Sequence, residues 1–146
     1  MPGSSIWLLP PPTHHLHEKL KTLIAETLPA LFPAESTSAT LSPDFFVPHV
    51  TLTSEISPDL YGSDPQGWLD SIPWPAADEV CVRFEELRSQ DVFVRRCYIG
   101  VGFDGVKDIA ALARARGVLG EETPADKTAA WLKSWQDAFG PHVSLM

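Results

Sequence analysis

The sequence predicts an α+β fold in one domain spanning residues 1–146. Segments that alternate apolar and polar residues with period two predict strands, and segments with apolar residues three and four positions apart predict helices. Strands and helices are interspersed without the regular alternation of a doubly wound parallel sheet. A length of 146 residues fits one compact domain or two small lobes that share an interface.

The predicted strands are short and are bounded by proline, glycine and small polar residues. Three consecutive prolines stop the first strand, and residues 88–90 are placed to close a hairpin between the third and the fourth. Turn-forming residues dominate 57–66 and also 34–44, which we expect to be a surface loop. The five predicted strands cover residues 6–9, 45–56, 79–87, 91–103 and 142–145.

The predicted helices have recognisable start signals. Thr13 can cap the first helix, which should end near residues 29–33, and Asp126 or Thr128 can cap the last. Trp131 and Trp135 lie four residues apart in the last helix, a spacing that predicts packing in the core. The four predicted helices cover residues 13–28, 65–72, 106–119 and 128–139.

Composition and charge exclude several classes of protein. The formal net charge is −8 and five tryptophans are present, which argues against a disordered chain. Binding of long nucleic acid normally needs a basic stripe, and none is visible, whereas a small phosphorylated ligand needs only one local site. No apolar run approaches the roughly 20 residues that span a bilayer. Cys81 and Cys97 are expected to be buried reduced thiols, with a cross-strand disulfide as the alternative. The expected compartment is therefore reducing and intracellular.

A short motif occurs twice in the chain. Residues 48–52 read PHVTL and residues 141–145 read PHVSL. If residues were independent, two such proline-preceded histidines would arise by chance on the order of once in ten thousand sequences of this composition. The repeat therefore indicates a functional pair.

The period of a strand explains the spacing within each motif. His49 and Thr51 share one face of a strand, while the valine and leucine of the motif are buried on the other face. His142 and Ser144 repeat this arrangement. If the two strands face each other across a cleft, two imidazoles flank one phosphorus, so that one acts as base and the other as acid. The two hydroxyls hold phosphoryl oxygens, and the reaction needs no metal.

The two motifs in an α+β chain resemble the signature of the two-histidine phosphoesterase superfamily. Within it, the opening IWLLP, the helix that follows and PHVTL look like the fungal and plant cyclic phosphodiesterases. PHVSL after the Trp-rich segment TAAWLKSWQDAFG is similar to fungal members. The resemblance covers essentially the whole chain.

The resemblance implies a fold, a reaction and a site. The fold would be bilobal, with antiparallel sheets from two pseudo-symmetric lobes around a central cleft. The reaction would be metal-independent and without a cofactor. It would convert ADP-ribose 1″,2″-cyclic phosphate to ADP-ribose 1″-phosphate, a step downstream of tRNA splicing, and nucleoside 2′,3′-cyclic phosphates to 2′-phosphates. His49 and His142 would be the acid–base pair, with His142 the first choice for the base, and Thr51 and Ser144 would bind the phosphate. The expected protein is a monomer in the cytoplasm, with Golgi association as the alternative.

Two other functions stay open at this stage. One is a 2′-5′ RNA ligase or phosphodiesterase of the same superfamily, which the negative charge disfavours. The other is a non-catalytic nucleotide-binding module. The chain stops one residue after PHVSL, whereas family members continue, so we expect the second lobe to be incomplete and the activity or stability to be weak.

Several further residues have competing interpretations. Trp7 is placed either to stack on the substrate base or to pack in the core. His14, His15 and His17 are expected at a solvated helix start rather than at a metal site. Positive charge near a phosphate could come from four residues, Arg83, Arg95, Arg96 and Lys107.

Overall fold

The computed structural model describes residues 3–32, 47–90 and 97–145, and within these residues the predicted α+β class is confirmed. The strands form one sheet in the order β1-β2-β5-β4-β3. β5 runs antiparallel to both of its neighbours. The strands are β1 (Ser4–Leu8), β2 (Val50–Ile56), β3 (Phe84–Arg88), β4 (Tyr98–Val101) and β5 (His142–Ser144).

The helices occur where the apolar periodicity predicts them, with shifted ends. No helix in the described residues is both long and apolar enough to cross a membrane. The helices are α1 (His15–Thr22), α2 (Leu28–Leu31), α3 (Pro65–Asp70), α4 (Phe103–Arg114) and α5 (Asp126–Ala138), with π-helical turns at Leu23–Thr27 and Ala115–Leu119. The predicted loop 34–44 and residues 91–96 of the fourth predicted strand lie outside the described residues.

The start of the first helix differs from the prediction that Thr13 caps it. The cap is His14, whose Nδ1 accepts a hydrogen bond from the backbone N–H of Leu16 at 3.1 Å. Further along, Pro29 has no N–H to donate to the carbonyl four residues earlier, and its ring crowds that carbonyl. The helix widens into the π turn Leu23–Thr27 directly before this position.

The predicted strand 79–87 is wrong in its first half. Only Phe84–Arg88 is a strand, and a 3₁₀ turn at Ala77–Glu79 precedes it. Between the two, the backbone N–H of Cys81 donates to the carbonyl of Gly105, and the carbonyl of Arg83 accepts from the N–H of Gly102. These groups bond to the start of α4 and the residue before it, so alternation alone could not reveal that 80–83 lie outside the sheet.

The last helix begins without the predicted side-chain cap from Asp126 or Thr128. Instead, the Glu121 carboxylate accepts from the N–H groups of Ala125, Lys127 and Thr128, and from the Thr128 hydroxyl. The hydroxyl of Thr128 lowers the pKa of Glu121 most, with the backbone donors adding to the effect. An acidic side chain several residues before the helix therefore satisfies its exposed N–H groups.

The chain divides into two compact units. The first comprises Met1–Trp7, Thr51–Phe84 and Val101–Pro141, and the second Leu8–Val50, Glu85–Gly100 and His142–Met146. In the first unit, Ile56 and Val106 are among the most deeply buried side chains. In the second, the buried apolar residues are Leu20, Ile24, Leu28, Val50, Tyr98, Val143 and Leu145. The pseudo-symmetric bilobal arrangement and the incomplete second lobe stay predictions.

The cysteines are both free thiols, so the alternative of a disulfide between Cys81 and Cys97 is wrong. The prediction that both are buried is also wrong, since Cys81 is exposed and Cys97 only half-buried. Burial raises the pKa of the Cys97 thiol.

We predict that Thr128→Val lowers the free energy of unfolding by about 1–2 kcal/mol, because the fully buried hydroxyl donates to the Glu121 carboxylate. Urea denaturation measures the change, and Thr123→Val at an exposed position is the control, with an expected change below about 0.5 kcal/mol. The folded-state pKa of Glu121 is lowered, so this stabilisation is present above the unfolded pKa and lost as the pH falls through the folded one. Equal destabilisation by both variants would contradict the role of the hydroxyl.

Candidate active site

The first motif lies at the beginning of β2, with the side chains of one face buried and those of the other half-buried. Val50 and Leu52 are 3% and 2% exposed, whereas His49 and Thr51 are half-buried. Pro48 is fully buried and holds the chain just before the strand. The alternation expected for a strand is confirmed, although His49 immediately precedes β2 instead of lying within it.

The second motif repeats this pattern in β5. Val143 and Leu145 are 3% and 2% exposed, and His142 and Ser144 are half-buried. The backbone N–H of Leu145 donates to the carbonyl of Cys97 at 2.8 Å, which ties the end of the motif to the residue before β4.

The two motifs meet in the sheet. β2 and β5 are adjacent antiparallel strands, with Val50 paired directly with Val143. One step along this register, His49 lies opposite Ser144, with His142 as its diagonal neighbour. Residues in these positions have Cβ atoms roughly 5 Å apart when directly opposite and roughly 7–8 Å apart on the diagonal. The histidines thus stand beside each other on one face of a sheet, and not on strands that face each other across a cleft, as the sequence suggested.

We call this surface the histidine face and define it by His49, His142 and Ser144, which all belong to the second compact unit. These three side chains are half-buried, so they combine a fixed backbone with access from solvent. Thr51 follows Val50 along β2, is also half-buried and belongs to the first unit.

His49 has a defined tautomer and a shifted pKa. Its Nδ1 lies 2.7 Å from the carbonyl oxygen of Val47. A carbonyl can only accept, so Nδ1 carries the hydrogen and Nε2 holds the lone pair of the neutral ring. Burial lowers the pKa of His49 below the usual 6.5, and the hydrogen bond to Val47 opposes part of this shift. His49 is therefore suited to be neutral near pH 7.

His142 has different surroundings. Its ring lies 5.3 Å from that of Tyr98, centroid to centroid, with the planes at 66° in an edge-to-face contact. Tyr98 pairs directly with Ser144, and Gly100 pairs with His142, so both lie on the histidine face. Tyr98 was missed in the sequence, because nothing in its strand reveals which residues of another strand it pairs with.

Three of the remaining predicted site residues belong to the first unit, and two lie outside the described residues. Trp7 is 48% exposed on β1 and belongs to the first unit, so the prediction of a core tryptophan is wrong. Arg83 and Lys107 also belong to the first unit, and Lys107 forms an ion pair with Asp104 at 3.4 Å. Arg95 and Arg96 lie outside the described residues.

Two of the three histidines at the start of the first helix are solvated as the sequence predicts, whereas His17 is half-buried with its Nδ1 buried. His14 and His15 are exposed and stacked on each other at 4.3 Å. In the parts of the chain that the structure describes, no group of three or more His, Cys, Asp and Glu side chains could hold a metal ion.

Comparison with known proteins identifies the family. The family model described as cyclic phosphodiesterase-like protein matches residues 1–146. A 2′,3′-cyclic-nucleotide 3′-phosphodiesterase of Neurospora crassa is 61% identical over 150 residues, which cover 100% of this chain and 71% of the relative. The enzyme of the same name from Phaeosphaeria nodorum is 43% identical over 148 residues, covering 100% of this chain and 69% of the relative. No solved structure matches the chain. The resemblance and the enzyme class expected from the two motifs are confirmed, and the chain belongs to the cyclic phosphodiesterase-like family.

Proposed function

We propose that this chain hydrolyses nucleoside 2′,3′-cyclic phosphates to nucleoside 2′-phosphates, with His49 and His142 as its acid–base pair. The observation that carries the proposal is the pairing of Val50 with Val143, which brings the two motif histidines to one face of the sheet. The family and the names of both relatives support a cyclic nucleotide as substrate.

We assign the role of general base to His49. The resemblance described in the sequence analysis had made His142 the first choice for this role. Its lowered pKa keeps the ring neutral near pH 7, and the Val47 carbonyl leaves the lone pair on Nε2. A neutral imidazole can accept the proton of the attacking water as the water oxygen bonds to phosphorus.

His142 is assigned the complementary role of general acid. It starts protonated and donates its proton to the ribose 3′ oxygen as the bond from phosphorus to that oxygen breaks. The Glu85 carboxylate lies 3.7 Å from the position that a Cβ on Gly100 would occupy, and Gly100 pairs with His142. The Glu85 carboxylate therefore lies on the same side of the sheet as His142. After one turnover the two histidines have exchanged protonation states, and solvent restores them.

The hydroxyls and Trp7 complete the proposed site. Thr51 and Ser144 would donate to the non-bridging phosphoryl oxygens, where negative charge increases in the transition state. Trp7 would stack on the base, and its 48% exposure is consistent with that role.

The proposal also includes a second substrate, the cofactor requirement, the cellular location and the oligomeric state. We extend it to ADP-ribose 1″,2″-cyclic phosphate, to a reaction that needs no metal or cofactor, and to a cytoplasmic monomer. A metal has no necessary role, because the two imidazoles supply both proton transfers. A 2′-5′ RNA ligase or phosphodiesterase is the less favoured function, because a net charge of −8 repels a polyanionic RNA end.

We predict that His49→Ala and His142→Ala each lower kcat by about 10²–10⁴-fold, because each removes one proton transfer. Steady-state kinetics on adenosine 2′,3′-cyclic phosphate measures this, with His15→Ala at an exposed position as the control. Titration calorimetry with adenosine 2′-phosphate should show that both variants still bind. A loss below about tenfold in both variants would contradict the assignment.

We predict that the acid limb of the pH profile of kcat/KM inflects below 6.5, because the pKa of His49 is lowered by burial and the base stays neutral in mildly acidic solution. The lowered pKa of His49 also makes the free energy of unfolding depend on pH. Below 6.5 the unfolded chain binds a proton at His49 that the folded chain does not, so the contribution of His49 to the free energy of unfolding falls as the pH drops toward the lowered folded pKa. Kinetics and urea denaturation of the parent and His49→Gln test both points. An inflection at or above 6.5 would reject His49 as the base.

We predict that adenosine 2′,3′-cyclic phosphate yields the 2′-phosphate, and that ADP-ribose 1″,2″-cyclic phosphate yields the 1″-phosphate, at rates unchanged by EDTA. Phosphorus NMR identifies the products. Activity that EDTA abolishes and zinc restores would overturn the two-histidine mechanism. Preferential cleavage of a 2′-5′-linked dinucleotide would favour the alternative function.

A further inference from the structure

Tyr98 is buried on a face whose histidines are half-exposed. β4 lies beside β5, and its register places Tyr98 opposite Ser144 and Gly100 opposite His142. Directly opposed residues of an antiparallel pair point to the same side of the sheet. Tyr98 is nevertheless only 4% exposed, so the ring is packed against its surroundings.

Tyr98 contacts the imidazole of His142, whereas Gly100, the direct strand partner of His142, has no side chain to do so. Gly100 is the direct partner of His142 and presents no Cβ to the imidazole. Tyr98, two residues earlier in β4, contacts the imidazole edge-to-face with the centroids 5.3 Å apart. This geometry is a favoured one for aromatic pairs, and it resists rotation of the imidazole about its Cβ–Cγ bond.

Arg88, on the neighbouring strand β3, interacts with both Glu86 and Tyr98. Arg88 donates from Nη2 and Nε to one carboxylate oxygen of Glu86, at 2.7 and 3.0 Å. Glu86 raises the pKa of Arg88 most, and Tyr98 raises it further. The side chains of Arg88 and Glu86 are 50% and 69% exposed, so their ion pair contributes little to the stability of the fold.

We propose that Tyr98 is a positioning residue for His142, with its buried ring fixing the plane of the imidazole. The proposal rests on the proposed function, in which His142 donates a proton. In this role Tyr98 acts through the histidine and not on the substrate. A fixed imidazole delivers its proton along one direction, and small misplacements of a catalytic group cost large factors in rate.

The test compares Tyr98→Leu, which removes the ring, with Tyr98→Phe, which keeps the ring and removes the phenol. We expect kcat to fall about tenfold to a hundredfold in the leucine variant with KM within about threefold of the parent, since the ring positions a proton donor and binds no substrate. The phenylalanine variant should recover most of the rate. Arg88→Met should lower kcat by a smaller factor than Tyr98→Leu does. Because Arg88 is half-exposed, this variant leaves the core unchanged.

Tyr61, the other tyrosine of the chain, is the matched control. Its hydroxyl lies 2.6 Å from that of Ser4 in the first compact unit. Tyr61→Leu and Tyr61→Phe should lower the melting temperature without lowering kcat in the folded fraction. If Tyr98→Leu likewise lowers only the melting temperature, Tyr98 is structural and the proposal is overturned.

A second readout does not depend on turnover. Three-bond couplings between the Hβ protons and Cδ2 of His142, measured by NMR, report whether the imidazole occupies one χ2 rotamer. We expect one rotamer in the parent and in Tyr98→Phe, and averaging in Tyr98→Leu. A single rotamer in all three would reject the positioning role even if the chain is active. A change of rotamer in a chain without turnover would retain the positioning role and reject the proposed function.

Discussion

The pairing of Val50 with Val143 is the contact on which the candidate site depends. Both side chains are 3% exposed, and burying a valine contributes about 1.5–3 kcal/mol. A slip of one residue in this register would move every side chain of one motif to the opposite face. The valine of that motif would then be exposed, and its histidine and hydroxyl residue would be buried. Hydrophobic burial therefore holds both histidines on the same face of the sheet.

The two motifs are nearly identical in sequence, but the fold gives their histidines different environments. His49 precedes its strand, and its Nδ1 donates to the carbonyl of Val47. His142 lies within β5, next to a glycine in the adjacent strand and against the ring of Tyr98. Acid–base catalysis by two chemically identical groups requires such an asymmetry, because one must hold a proton when the other does not. The local backbone supplies it.

The sequence predicted the faces of the two motifs correctly, and failed where contacts distant in sequence decide the structure. Period two correctly separated Val50 from His49 and Thr51, because a buried strand face needs apolar residues whatever its partner is. The same pattern failed at residues 80–83, where the backbone groups bond to the start of α4 and the residue before it and not to a strand. The cap of α5 was missed because the Glu121 carboxylate lies before the helix, outside the usual cap position. Tyr98 was missed because strand pairing cannot be read from a single segment.

The register of β4 with β5 also determines how the histidine face is built around His142. A large side chain at position 100 would stand directly opposite the imidazole and compete with a phosphate for the space beside it. Gly100 presents no Cβ to the imidazole, and the Glu85 carboxylate lies beside its position, while Tyr98, one pair further along, contacts the imidazole from the side. An antiparallel register gives His142 one direct and one diagonal neighbour in β4 on the same face. The direct neighbour is the smallest residue and the diagonal neighbour is a large buried ring, so the two sides of the imidazole have different surroundings. The pairing of β2 with β5 that places the histidines on one face is thus extended by the pairing of β5 with β4, which determines the environment of His142.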